Sequence, residues 1–304
     1  MELIDRFNSI FLRTYTFRIL DNFLDLAVTL LPYLAAGILV VALLQRYVTR
    51  LQRLPILQSD KPLNIMAAAL AGVLAPLPVY VAVPFSAVLI ANGLPAAVVL
   101  AFLVACPLID PNLFLLTYGA FGIELALARV IVAFVLATSA GLLYGKIARL
   151  VPLAPADSLA GSAGQQAERS LGRPFLVSLR RQSMFILKIF SVSILISAAI
   201  KALAPPEYVR MLLGGEGYAA ILVAIALGVP FYHCGGAAIP LMEALRELGM
   251  SSGAVLAFFI SGPATKISAL YAFGEGYGAR FVALFLAFSL SGAFAAGLLF
   301  NLFF

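Results

Sequence analysis

The side chains able to do chemistry fall in two stretches that lie 156 residues apart. The later one, Gly228 to Lys266, carries His233 and Cys234 ahead of Gly235-Gly236, then Thr265 and Lys266 after Pro263. The earlier one, Gly72 to Asp110, carries Tyr80, Cys106 and Asp110, with Asn112 just beyond. A thiol or thiolate beside an imidazole in a dry cavity suits soft or borderline cations. Cys234 and His233 are therefore candidate solute or metal ligands, and Cys106 is a third soft donor if it faces the same cavity. The competing assignment is a packed cysteine and a hydrogen-bonded histidine. Asp110 and Lys266 occupy equivalent positions in the two stretches and carry opposite charge. A lone charge at the centre of a bilayer costs roughly 2.5–3.5 kcal/mol on the milder insertion scale. The two read either as a charge gate or proton-coupled pair that opens for a solute, or as a static ion pair. Tyr80, Tyr232, Asn112, Ser261 and Thr265 can satisfy freed backbone groups or touch a solute.

The elements that hold these groups are broken helices. Pro78, Pro84, Pro107, Pro230, Gly235, Gly236, Pro240 and Pro263 interrupt sequence that is otherwise apolar enough to span a bilayer, and each proline removes a backbone donor. Irregular backbone at membrane depth survives only where it is buried in protein or lines a cavity. The interruptions repeat. Without a gap, Gly72 matches Gly228, Pro84 matches Pro240, Gly93 matches Gly249, Pro107 matches Pro263 and Gly122 matches Gly278. Paired interrupted segments in corresponding halves point to a transporter's binding site.

Composition sets the class. The 304 residues are 63% hydrophobic and 11% charged, with mean hydropathy +1.05. That is the composition of a polytopic membrane protein. The net charge of +6 reads as loop charge that sets topology rather than as a nucleic-acid footprint. No cleavable signal peptide is expected. The two cysteines lack zinc-finger spacing. There is no nucleotide-binding loop, Ser-His-Asp set, metalloprotease signature or pair of catalytic carboxylates, so neither an enzyme nor a cofactor is expected.

The expected fold is an all-α integral membrane protein of two inverted-type repeats, each with a broken-helix or re-entrant hairpin core, with about 8 hydrophobic membrane segments of helical length. Residues 1–150 form the first repeat, opened by an interfacial helix at 1–22. Residues 151–177 form a cytoplasmic linker, and 178–304 the second repeat. In the first half the sequence predicts helices over 64–75, 84–92, 95–106 and 112–121, irregular backbone at 76–83, and spans near 24–45 and 125–148. In the second half it predicts spans near 182–203 and 280–303 around the broken region. The loops 46–61 and 146–181 are basic and belong in the cytoplasm; with the charge-balanced N-terminal segment and loop 204–217 facing outward, the halves are inverted.

At the same residues the chain resembles the predicted permeases that include the ArsP-type organoarsenical efflux permeases and the YraQ-type proteins. The likeness rests on Gly228-Val229-Pro230 followed by Cys234, on Ile239-Pro240, the Gly249 turn, Leu256-Ala257-Phe258 and Gly262-Pro263-Ala264-Thr265. The first half carries Pro84, Leu100-Ala101-Phe102 and Cys106-Pro107-Leu108. The resemblance implies a multi-pass permease of the cytoplasmic membrane, and in its exporting members membrane-embedded cysteines bind trivalent organoarsenicals. Cys234 matches the second-half cysteine. The Cys-x-Cys-Gly element often found before the first-half proline is absent here, where Pro78-Val79-Tyr80-Val81 stands, and Lys266 replaces the usual Asn. The expected function is efflux of a soft metalloid or organometal species by alternating access. A small anion held by Lys266 and half-helix N-termini is the alternative, and a membrane subunit of a larger assembly is the alternative of another class. The expected partners are the bilayer, a small-molecule solute and a second copy of the chain, but not nucleic acid.

Overall fold

The computed structural model describes residues 19–29, 32, 59–75, 77, 79–91, 93–147, 190–215, 217–231 and 235–303. Every regular element among them is a helix. Residues 19–29 form α1. The first set continues with α2 (Pro62–Leu74), α3 (Val79–Ala91), α4 (Ala96–Leu108) and α5 (Pro111–Ile147). The second comprises α6 (Phe190–Leu203), α7 (Pro206–Leu213), α8 (Tyr218–Phe231), α9 (Gly235–Glu247), α10 (Ser252–Thr265), α11 (Ile267–Tyr277) and α12 (Ala279–Phe303). The expected interfacial helix at 1–22 falls mostly, and the linker at 151–177 wholly, outside the described residues.

Helix ends follow local chemistry. Proline opens α2 and α7 at the first helical position, where its missing N–H would be unsatisfied in any case. The side chain of Ser251 caps α10 by accepting from the Ala254 N–H. The α3–α4 and α9–α10 turns close in the same way. Gly93 N–H donates to Ile90 and Leu94 N–H to Leu89; Gly249 N–H donates to Arg246 and Met250 N–H to Leu245. Both glycines have positive φ, 84° and 109°, as this C-terminal motif requires.

Shifted by 156 residues, α3 falls on α9, Pro111–Phe121 falls on α11, Gly122 falls on Gly278, and the remainder of α5 falls on α12. The helices α2 and α4 reproduce α8 and α10 to within a residue at their ends. Packing follows the same correspondence. The first set packs α2, α4 and α5 together, and the second packs α8, α10 and α12 together. Between the sets, α3 lies on α11, α9 lies on α5, and α4 meets α10. Close approach is made by small residues, as membrane helix interfaces require. A Cβ on Gly72 would lie 2.6 Å from the Ala105 Cβ, and one on the equivalent Gly228 would lie 2.8 Å from the Ser261 Oγ.

Among the described residues, two helices are long and apolar enough to cross a membrane, Pro111–Tyr144 and Ala279–Phe303, or up to four if each bent pair counts as one span. The bent pairs are α6 with α7, at 103°, and Ser252–Thr265 with Ala269–Tyr277, at 47°. The centre of the molecule is α10, buried from Gly253 to Thr265. Large apolar residues such as Val28, Leu63, Ile131, Val135 and Leu299 face outward.

The prolines sit differently from the sequence expectation. Pro107, Pro240 and Pro263 lie inside helices, and Pro84 falls within α3, which begins at Val79 rather than at residue 84. The interruptions come later. Ile109 (φ −157°, ψ 149°) is extended, and Lys266 (φ −59°, ψ 122°) separates α10 from α11. A proline deletes one ladder bond, to the carbonyl four residues back, and the helix runs on for part of a turn before the chain leaves it.

Candidate functional site

The two breaks present different chemistry. At the first, between α4 and α5, Asp110 accepts the Leu113 N–H through Oδ1 at 2.9 Å, so the carboxylate caps α5 where the helix dipole favours negative charge. Asn112 lies beside it, its Oδ1 enclosed and without a hydrogen-bond partner. Cys106 is a free, buried thiol one turn before Asp110 on α4.

Behind this break stands Arg129, whose charge acts on Asp110 and which the sequence expectation did not include. Arg129 is fully buried, at 0% exposure. One guanidinium nitrogen donates to Thr117 Oγ1 at 2.9 Å and another to the Leu108 carbonyl at 3.3 Å. The guanidinium carbon stands 4.5 Å from the centroid of the Phe259 ring on α10, a cation–π geometry. Thr117 in turn donates to the Leu113 carbonyl. The reversal at Gly122 brings Thr117 and Arg129 together from opposite sides of the bend in α5.

At the second break Lys266 is partly exposed. No ion pair of Lys266 is formed among the described residues; Lys201 pairs with Asp25 and with Glu247. The expected Asp110–Lys266 contact is thus absent from these ion pairs. Thr265 is buried, and its hydroxyl donates to the Ser261 and Gly262 carbonyls in the last turn of α10 at 3.0 and 3.2 Å. Ser261, also buried, donates to the Phe258 carbonyl. Tyr232, His233, Cys234 and Pro78 lie outside the described residues. Tyr80 is placed by its backbone in the first turn of α3, Pro230 in the last turn of α8, and Gly235 and Gly236 at the start of α9. No group of three metal-ligating side chains occurs among the described residues.

A family model described as a predicted permease, ArsP_1, matches residues 17–302. The chain belongs to the ArsP_1 family of predicted permeases. Two curated relatives align with part of it. One is UPF0718 protein MJ0584 of Methanocaldococcus jannaschii, 29% identical over 127 residues, which is 39% of this chain and 35% of that protein. The other is UPF0718 protein YcgR of Bacillus subtilis, 28% identical over 100 residues, 33% of this chain and 34% of that protein. The chain thus spans about a third of the length of each. No solved structure matches it. The family match and the apolar helices make this a membrane protein of a predicted permease family.

A second cluster in the permease lies at the polar end of α9, a helix outside the candidate spans. Lys201 on α6 reaches Asp25 on α1 at 3.9 Å and also pairs with Glu247. Arg246 donates to the Phe121 carbonyl at 3.5 Å and stands over the Phe121 ring. Glu243 is half-buried, with Oε2 enclosed and without a partner. Burial pushes its carboxyl up to about 7, and Glu247 adds to the rise, while Lys201 opposes it. Between its ordinary value of 4.5 and about 7, the folded chain keeps a proton that the unfolded chain has lost, so stability falls as pH rises through that window. We expect the melting temperature of detergent-purified protein to decline from pH 5 to 7 by more than that of Glu243→Gln. Parallel profiles for the two proteins would show that Glu243 ionises as it does in water.

Proposed function

We propose that this permease moves a small solute across a cytoplasmic membrane by alternating access. Its two inverted-type repeats hold a midplane site at the two helix breaks. Efflux of a soft metalloid or organometal species is the leading assignment. The family match over nearly the whole chain carries the permease reading. The 156-residue correspondence of helices, with its exchange of partners between α3 on α11 and α9 on α5, supports the two repeats and a pseudo-two-fold relation between them. On this reading the 47° bend between α10 and α11 is a broken span with Lys266 at its middle. Cys234 and His233, which precede α9 in the sequence, supply soft donors. Asp110, Thr265, Tyr80, Asn112 and Cys106 flank the path.

A small anion is the second reading. It is favoured by the absence of a carboxylate paired with Lys266 among the described residues, which leaves a cation next to the N-terminus of α11.

Purified protein in liposomes, offered a trivalent organoarsenical and small inorganic oxyanions in separate assays, decides between them. The leading reading expects organoarsenical flux that Cys234→Ser abolishes. Flux of an oxyanion untouched by Cys234→Ser would move the assignment to the second reading. No flux of any of these would favour a membrane subunit that needs other chains.

A further inference from the structure

At the 156-residue offset the two sets differ in charge chemistry. Asp110 corresponds to Lys266, Thr117 to Phe273, and Arg129 to Phe285. In the first set Arg129 donates to Thr117 Oγ1 at 2.9 Å. In the second the same two positions make an aromatic contact, the Phe273 and Phe285 rings standing 4.8 Å apart, with Phe281 5.4 Å from Phe273. The break that carries the carboxylate is thus backed by a buried arginine and a hydroxyl. The break that carries the ammonium is backed by aromatic rings. Arg129 also reaches the last carbonyl of α4, that of Leu108, at 3.3 Å, and lies against Phe259 of the other set. One side chain therefore touches the end of α4, both limbs of α5 and the central helix α10.

We propose that Arg129 is the positioning residue of the first break. It compensates Asp110 from within the same set and clasps the end of α4, so that this break is a fixed post while the second break keeps an uncommitted charge. A guanidinium is suited to this, since its planar fork serves two acceptors at once while its face stacks on a ring. The proposal adds to the permease reading a division of labour between the breaks: Asp110 does not pair with Lys266, and the two charges act separately.

A double-mutant cycle on the melting temperature of detergent-purified protein tests it without any solute. Arg129 is fully buried and its charge acts on Asp110, so removing either charge leaves the other uncompensated. Arg129→Met and Asp110→Asn alone should each lower the melting temperature by several degrees. The double variant should lose much less than the sum of the two. Asp110→Asn with Lys266→Met should be additive. Arg129→Lys, which keeps the charge but not the fork, should fall between wild type and Arg129→Met. If Arg129→Met does not accumulate, the cycle is run with Arg129→Gln, which also removes the charge. Additive effects for Asp110 with Arg129, or coupling between Asp110 and Lys266, would overturn the assignment. Transport plays no part in the readout, so failure of the liposome assay leaves this result intact, and the converse also holds.

Discussion

Lys266→Met should abolish transport of whichever panel solute the wild type moves while leaving the protein folded. The side chain is partly exposed, and among the described residues it belongs to no ion pair. Its loss therefore strands no partner, which is the usual source of large destabilisation when a buried charge is removed. The residue nonetheless stands between α10 and α11 with non-helical backbone, where the helical ladder is interrupted. Losing a desolvated charge contact costs about 2–5 kcal/mol, so solute affinity should drop well over tenfold, by the rule of about 1.4 kcal/mol per decade. Lys266→Arg should retain part of the activity, because it keeps charge at the break but changes shape and reach. The measurement is initial flux in liposomes set against the melting temperature of the same preparation. Wild-type flux in Lys266→Met would remove this break from the solute path.

The contrast with Asp110 shows how far the sequence carries. Paired prolines and glycines locate the turns and breaks around α3, α4, α9 and α10, because each marks a place where the ladder or the φ angle is special. They do not fix where the chain leaves the helix. Pro107 and Pro263 weaken the ladder, and the departure comes at Ile109–Asp110 and at Lys266. The element α3 begins at Val79, where the run of prolines suggested irregular backbone as far as residue 83, because packing on α11 carries the helix across Pro84. Arg129 was open to the same argument that singles out Asp110 and Lys266, since an ionisable residue inside an apolar span is a functional signal. Its partners were not. Thr117 and Arg129 meet only through the reversal at Gly122, and Phe259 arrives from the other set. Those contacts depend on three-dimensional closure that no spacing in the chain records.

Gly122→Ala and Gly278→Ala should be among the most destabilising small substitutions in the molecule, and by similar amounts. The two residues stand at equivalent positions, with φ 84°, ψ 179° and φ 85°, ψ 168°. This region of backbone space is essentially closed to residues with a Cβ and costs about 1–3 kcal/mol when forced. Crowding is not the cause, because a Cβ built at either position meets no atom within 4 Å. The penalty is therefore purely conformational, and asparagine, which relieves the ordinary left-handed region, should do no better than alanine. At about 2–4 °C per kcal/mol for chains of 150–250 residues, each variant should lose a few degrees of melting temperature, and the pair should lose about the sum. The consequence at Gly122 extends to the site, because the reversal there sets Arg129 against Thr117 and the end of α4. Gly278 makes the corresponding bend ahead of Phe281 and Phe285, which pack on Phe273. Gly122→Ala should accordingly reduce flux by more than its stability loss accounts for, while Gly278→Ala should reduce flux only in proportion to folded protein. Unchanged melting in both variants would mean that the backbone at these bends is not held in this conformation.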